Sequence, residues 1–558
     1  MQISLKKWVA SGSPWVWLNA GAVAISVVLV LGLLGVIASR GLVHFWPSSL
    51  QEYQYTDSEG LKIAVLGEQV EREQVTAEQI RSAGLAVPAG VEILDRQLIK
   101  VGNREVYGSD FRWVLEHQLS DLTYPKNAVA LERREWGNFY GYIVGIKENG
   151  QLIAQQTPAD NDLWHEALQR TERATAIYRT IKRLESGAIG AINYELEQLR
   201  LAERSLQLKG DATAHTLAEL KAQKSVLQAE YASQEAELMA LYTPFKRDTL
   251  VLQTADGQHK EVNFSDIVRL YQPNTLSLWQ KLQHYTLKLV EFVSDDPREA
   301  NTEGGIFPAI FGTVLMVMMM SLIVTPFGVI AAVYLREYAS QGVITRIIRI
   351  AVNNLAGVPS IVYGVFGLGF FVYFLGGNID QLFYAPALPS PTFGTPGLLW
   401  ASLTLALLTL PVVIVATEEG LSRIPRSVRE GSLALGATKF ETLMRVVIPI
   451  ASPAMMTGVI LAVARAAGEV APLMLVGVVK LAPNLPLDMN APFLHLERKF
   501  MHLGFHIYDV GFQSPNVEAA RPLVYATALM LVVVIAVLNL TAISIRNRLR
   551  EKFRALDM

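Results

Sequence analysis

The chain has 558 residues and no cysteine. That absence removes disulfides, thiolate nucleophiles and cysteine-ligated metal sites together, so any large extramembrane segment must hold its core by packing and polar contacts. Charge of one sign is also missing: 49 Lys and Arg stand against 51 Asp and Glu, a net of −2, which supplies no global basic field and argues against nucleic acid as a partner. No G-x-x-x-x-G-K-[ST] phosphate loop occurs, and no nucleophile elbow, H-E-x-x-H or dinucleotide G-x-G-x-x-G stands in a credible context. The chain therefore reads as a non-enzyme with no catalytic, cofactor-binding or metal-binding residues of its own, and ATP hydrolysis, if used, must come from another polypeptide.

What is present is apolar. The composition is 51% hydrophobic with 18% charged residues and a mean hydropathy of +0.28, too apolar for an ordinary soluble protein and too charged for one that lies wholly in a membrane. The two regimes separate along the chain. Residues 1–39 contain Lys6, Lys7, Trp15 and Trp17 and an apolar run to Ala38 that reaches the roughly 20 residues needed to span a bilayer. Val36-Ile37-Ala38 is a tolerable cleavage context for a signal peptide, but the length of the run favours an uncleaved span. Five more spans are predicted at Ile306–Leu335, Leu355–Leu375, Leu398–Ala416, Ala454–Val479 and Leu523–Ile545, with a kink at Thr325-Pro326 in the first of them.

Residues 40–305 form an insert of soluble character. Its first part, to about Gln156, is mixed, with a hairpin turn expected at Glu148-Asn149-Gly150, and strand signals return after Pro244 around Asp256-Gly257. Between them, 161–242, the pattern is helical. Ile192, Leu196, Leu199 and Leu206, then Leu217, Leu220, Leu227, Tyr231, Leu238 and Leu241, fall on heptad a and d positions either side of Lys209-Gly210-Asp211. This predicts an antiparallel helical hairpin, a coiled coil whose second arm reaches roughly 45 Å. It is either a solvated spacer or an arm that positions a partner. Leu276–Phe292 reads as an amphipathic helix leading back to the membrane.

With six spans both termini lie on one side. Lys6 and Lys7, Arg336, Arg346 and Arg349, Arg423 to Arg445, and the tail 547–558 with Arg548, Arg550, Lys552 and Arg554 all fall on that side, which the positive-inside rule makes the cytoplasm. The insert is then periplasmic. Two features of the second membrane region, 306–546, carry function. The first is EGSLALGATKFETLMRVVIP, 430–449: two short amphipathic runs broken at Leu435-Gly436, with Pro449 expected to stop the second. The second is Arg465 and Glu469, read as lying near the middle of the fifth span on one helix face. Charges at that depth cost several kcal/mol unless they face a partner or a water-filled path. They are either a self-neutralising structural pair or an arginine fork for an oxyanion, oriented by the glutamate.

The spacing of Glu430, Gly436 and Pro449 resembles the EAA loop of permease subunits in ABC importers, although Gly431 and Ser432 stand where the family has two alanines. The resemblance implies that Glu430, Gly436, Ala437 and Pro449 couple to an ATPase. The strings TPFGVIAAVYLREY (325–338), NNLAGVPSIVYGVFGLG (353–369) and the run 410–477 from LPVVIVATEEGLSR to LMLVG narrow it to the PstA permeases of phosphate importers, long form with an enlarged N-terminal insert. That resemblance implies an all-α polytopic membrane protein of the type I ABC permease fold, carrying a mixed α/β periplasmic insert, in a bacterial inner membrane. It implies that Arg465 and Glu469 lie on the path of inorganic phosphate. It also implies a PstC-type sister permease, two PstB-type ATPases that hold the ATP and Mg, a PstS-type binding protein and a PhoU-type regulator. The alternatives are a sulfate or molybdate permease, or a membrane sensor reading ligands through the coiled coil.

Overall fold

The computed structural model describes residues 10–57, 60–82, 87, 90–155, 162–514 and 517–553. Lys6, Lys7, residue 161 of the expected hairpin and Arg554 lie outside the described residues.

Helix α1, Ser13–Val43, is long, apolar and, apart from the buried Gly41, largely exposed, and leads into the insert. Strands β1 (Gln51–Thr56), β2 (Lys62–Thr76), β3 (Ile93–Lys100), β4 (Phe111–Leu115) and β5 (Leu119–Thr123) make an antiparallel sheet in the order β4-β3-β2-β1-β5. The second sheet uses β6 (Val129–Arg133), β7 (Phe139–Glu148), β8 (Gln151–Gln155), β9 (Asp248–Gln253), β10 (His259–Asn263) and β11 (Ile267–Tyr271), in the order β10-β9-β7-β6-β11 with β8 also on β7. The β7–β8 turn falls at Asn149-Gly150, both at positive φ (48° and 79°), as a two-residue hairpin turn that follows the sheet's twist requires.

The chain between β8 and β9 is helical: α2 (Asp162–Arg183), a π-helical stretch at Leu184–Ile189, α3 (Gly190–Lys209) and α4 (Ala214–Phe245). Gly210, at φ 77°, ends α3, and the Thr213 hydroxyl caps α4 by accepting the Thr216 N–H. Leu163, Ala167, Ala174 and Ile181 of α2 and Phe245 of α4 enter a core with Phe139, Ile146, Leu250 and Ile267 of the second sheet. Of the heptad residues, Ile192 is buried and the others are half-buried, which is what a two-helix seam can achieve with solvent on both flanks. Helix α3 does not stand free: it packs against Ala385–Ala387, the Tyr194 hydroxyl donates to the Ala491 carbonyl, and its ring meets His495 edge-on at 6.1 Å.

Helix α5, Leu278–Ser294, opens with a Ser277–Gln280 capping box. Its buried Phe292 meets Phe45, just beyond α1, with ring centroids 4.9 Å apart, and the carbonyl of Phe292 accepts the Ile306 N–H at 2.8 Å. The remaining candidate spans are α6 (Phe307–Tyr338), α7 (Ser360–Phe383), α8 (Leu398–Ser422), α10 (Lys439–Gly468) and α11 (Val517–Phe553), with the short α9 (Arg426–Ala434) between α8 and α10. Among the described residues, six helices, α1 included, are thus long and apolar enough to cross a membrane. Helix α8 is their centre, two-thirds (67%) buried, with Leu405, Leu408 and Val413 against Met316, Met320 and Val324 of α6 and Val459, Ala462 and Ala466 of α10. Small residues bring these helices together: a Cβ at Gly458 would lie 2.7 Å from the Ala416 Cβ, and one at Gly328 2.6 Å from Val413 Cγ1.

The fifth span departs from expectation. It does not run 454–479; it begins at Lys439 and ends at Gly468. Pro449 does not stop a helix. The backbone widens to π-helical hydrogen bonding at Leu443–Val447 immediately before it, which accommodates a residue with no N–H to donate. Pro326 likewise sits inside a continuous α6.

Candidate functional site

The elbow is built from α9, a glycine turn and the start of α10. After α9, Leu435 is 91% exposed and Gly436 has φ +87°. Nothing lies within 4 Å of where a Gly436 Cβ would be, so glycine is required here by its backbone conformation and not by space. Thr438 then caps the next turn: its hydroxyl accepts the Glu441 N–H at 3.2 Å, and the Glu441 carboxylate accepts the Thr438 N–H at 2.9 Å. The Ala437 N–H donates to the Ser432 carbonyl at 3.3 Å, and the Ser432 and Thr442 hydroxyls meet at 2.9 Å. The two arms are therefore bonded across the turn.

One side of this elbow is anchored. Leu443 and Val447 are buried with Leu421, Ile424 and Met455, each worth roughly 1.5–3 kcal/mol of burial. Arg429, on α9, donates to the carbonyls of Leu421 (2.8 Å) and Ile424 (2.7 Å) and to the Glu337 carboxylate at the end of α6 (2.9 Å). Lys439 donates to the Glu337 carbonyl and lies over the Tyr338 ring. The outer side is bare: Leu433, Leu435, Phe440 and Met444 are exposed, and Glu430 is exposed beside them. A push on that side would be transmitted to α6 and α10 through named contacts. Sequence reasoning missed Arg429, Glu337 and Lys439, because the ion pair joins residues 92 apart in the chain.

Arg465 and Glu469 come together, but not in mid-helix. Arg465 is in the last turn of α10, Gly468 is the final helical residue, and Glu469 is extended (φ −80°, ψ 130°). A cation in the last helical turn is favoured by the helix dipole. Arg465 Nε stands 3.5 Å from Glu469 Oε1, with the side chains 34% and 21% exposed. This is an ion contact too long for a good N–H···O bond, and among the described residues the guanidinium makes no hydrogen bond. Tyr363 of α7 is within electrostatic reach of Arg465. Glycine again allows the approach behind the pair: a Cβ at Gly364 would lie 2.7 Å from the Pro472 Cα.

The stretch after Glu469 forms an ordered loop. His495 bridges Asp488 (3.0 Å) and Glu497 (3.1 Å), and Arg498 binds the Leu485 carbonyl at 2.7 Å and the Asp488 carboxylate. Across from it, the buried Asp380 accepts the N–H groups of Phe393 (2.8 Å) and Gly394 (2.6 Å). These two loops are the ones on which α3 rests. Among the described residues no His, Asp and Glu cluster is arranged to hold a metal.

Six apolar helices among the described residues, one of them central to the bundle, with an anchored, one-sided elbow between the fourth and fifth, define a polytopic membrane permease. The model of the family described as binding-protein-dependent transport system inner membrane component matches residues 324–555. Phosphate transport system permease protein PstA 1 of Mycobacterium tuberculosis is 36% identical over 245 residues, 44% of this chain and 71% of that protein. The probable phosphate transport system permease protein PstA of Methanocaldococcus jannaschii is 29% identical over 238 residues, 42% of this chain and 74% of that protein. Phosphate transport system permease protein PstC of Mesorhizobium japonicum is 33% identical over 199 residues, 34% of this chain and 60% of that protein. The chain belongs to the PstA family of binding-protein-dependent permeases.

Proposed function

We infer that the chain is the PstA-type permease subunit of an ATP-driven phosphate importer, forming the translocation path with a PstC-type sister permease. Two PstB-type ATPases dock beneath it and a PstS-type binding protein delivers inorganic phosphate from the insert's side. Family membership supports the importer class, and the relatives' names supply the substrate. The alignment to both PstA and PstC proteins supports a pair of related permeases. ATP and Mg belong to the ATPases, and a PhoU-type regulator would act from the cytoplasmic side.

The observation that carries the passage role is the Arg465 guanidinium. A strong Arg–carboxylate pair is frequently short and bidentate, whereas this one leaves the planar fork of donors without a hydrogen bond beside a single carboxylate at 3.5 Å. An oxyanion can use those donors, and Glu469 limits how tightly it is held, as conduction requires. The bare side of the elbow, with Glu430, Leu435, Gly436 and Ala437 at its tip and Pro449 behind it, is the surface offered to the ATPase. Closure of the ATPase dimer would move α6 and α10 through Arg429–Glu337 and the buried Leu443 and Val447.

The basic residues clustered beside the elbow and after α11 support an orientation with the termini in the cytoplasm and the insert in the periplasm. Helices α3 and α4 then form an antiparallel hairpin that lies over the outer loops of its own permease domain through Tyr194, and positions the sister permease or the binding protein there. Uptake of labelled phosphate by cells whose only phosphate importer contains this chain tests the reading. Arg465→Ala is expected to abolish uptake at normal membrane levels, with no competition by sulfate or molybdate in the wild type. Undiminished uptake returns the pair to a structural role, and competition by sulfate or molybdate reopens the substrate.

A further inference from the structure

Where the insert meets the spans lies a cavity of about 710 Å³. Its floor comes from span ends, with apolar Val43 of α1 and Leu523 and Tyr525 of α11 beside Arg40 and Arg521; its roof is the first sheet; and its side wall is α5. It is separate from the Arg465 pair and from the elbow, neither of which lines it.

Two independent observations bear on what it holds. The first is charge. Most of the ionic groups lining the cavity are already satisfied within the protein: Lys288 binds Glu132, Arg298 binds Glu291 at 2.6 Å, and Arg104 binds Glu299. Arg40, Lys100 and Glu303 also line it, and among the described residues they have no ion pair and no side-chain hydrogen bond. Burial holds the Glu303 carboxyl above its usual range, and Lys100 is the first of the cations that oppose this. Two cations and one carboxyl that make no ion pair or side-chain hydrogen bond, on an otherwise paired wall, suit a ligand carrying both signs.

The second observation is the sidedness of α5. His284, Lys288 and Glu291 face the cavity beside Phe292, and Tyr285, Leu289 and Val293 pack inward, whereas Leu278, Trp279, Leu282, Leu287 and Val290 point outward and are 46–79% exposed. A helix lying on a domain in water keeps its outer face polar, whereas this one exposes five large apolar side chains there. Apolar residues outside, with Trp46 and Tyr285 rings 5.9 Å apart at the rim, are what a helix in the membrane interface presents. The apolar part of the floor continues onto the exposed surface of α1, where Val36 and Val43 are 53% and 70% exposed.

We propose that this cavity seats the headgroup of a phospholipid from the leaflet on the insert's side, one that carries a phosphate and a cationic amine. Arg40 and Lys100 take the phosphate, Glu303 takes the amine, and the acyl chains leave along α1. The phosphate group alone would also suit the two cations; the apolar part of the floor and the unpaired carboxylate favour the lipid over the free ion.

The test is lipid retention by the full-length chain, extracted with its co-purifying subunits and analysed by native mass spectrometry after exchange with phosphatidylethanolamine or phosphatidylglycerol. Transport is not measured, so the result is independent of the phosphate-passage reading. The wild type is expected to retain phosphatidylethanolamine preferentially. Lys100→Ala should lower retention of both lipids roughly tenfold, the size of one lost charge-assisted hydrogen bond, and Lys100→Arg should restore it. Glu303→Gln should abolish the preference for the amine-bearing lipid while leaving phosphatidylglycerol bound. Equal retention of the two lipids by the wild type, or no change in either variant at unaltered thermal stability, overturns the proposal. Displacement of the lipid by millimolar inorganic phosphate or soluble phosphoethanolamine overturns its assignment to the membrane.

Discussion

The insert and the bundle of spans hold their shapes by opposite means. In the insert, buried charges are tied into networks: Asp248, 1% exposed, stands at the start of β9 between Arg170 (2.7 Å), Arg247 (2.9 Å) and Arg173, and so fastens α2 to the sheet. Glu132 is fastened to Lys288 and Arg269 in the same way. In the bundle, the contacts are made by the absence of side chain: Gly328 against Val413, Gly420 against Ala454 and Gly458 against Ala416. Lipid provides no hydrophobic drive between helices, so close packing of small residues takes over. Water permits charged networks, and a cysteine-free insert depends on them.

The largest effect is expected where a network loses its one fully buried anion, leaving only the part-exposed Glu148 and Glu166 beside the arginines. Asp248→Ala would leave three guanidinium groups together at a buried point, at a cost of about 3–5 kcal/mol, and the insert should unfold well before the bundle in a protease-resolved thermal melt. A single transition for both regions would show that they are not energetically distinct.

Acid should separate the two regions next. Burial alone would raise the Glu132 carboxyl, but Lys288 and Arg269 outweigh it and bring it down to about 2. A depressed carboxylate contributes stability that is complete above its unfolded pKa, about 4.3, and that is lost as pH falls from there towards 2. Stability of the insert should therefore decline across that window, and Glu132→Gln should be less stable at neutral pH and flatten the decline. An unchanged slope in the variant would assign acid sensitivity to other carboxylates.

Within the bundle, Gly458→Val should cost about 1–3 kcal/mol by overpacking against Ala416, read as a lower melting temperature of the detergent-solubilised protein with the insert's protease resistance intact. The smallest stability change is expected at Gly436→Val. There the side chain meets nothing, and the penalty is only the roughly 1–2 kcal/mol of a non-glycine residue in the left-handed region. Membrane level should persist while uptake is abolished, because the angle between α9 and α10 is what the ATPase would push. Normal uptake would remove the elbow from the coupling path.

Much of the bundle was legible in the sequence because its signals are local. Apolar runs of spanning length locate six helices, and Gly436 marks a turn wherever a chain needs positive φ. The fifth span was misread at both ends for equally local reasons. Proline normally stops a helix, but a π-helical widening absorbs Pro449; and an i, i+4 spacing suggests a shared helix face, but α10 ends one residue before Glu469. In the insert the two turns at Asn149-Gly150 and Gly257 were readable from their residues, whereas the pairing of β9 with β7, about a hundred residues apart in sequence, leaves no periodic trace.

By itself, then, the sequence determined which segments enter the membrane, where the elbow turns, and that Arg465 and Glu469 lie close enough to interact, because hydropathy, glycine conformation and short spacing act within a few residues. Only the tertiary structure decided that Arg429 ties the elbow to Glu337, that Tyr194 carries α3 onto the loops around Ala491, and that Arg40, Lys100 and Glu303 surround one cavity. Those relations join residues tens to hundreds of positions apart, and the energy that sets them is packing and charge pairing between elements, which no local pattern encodes.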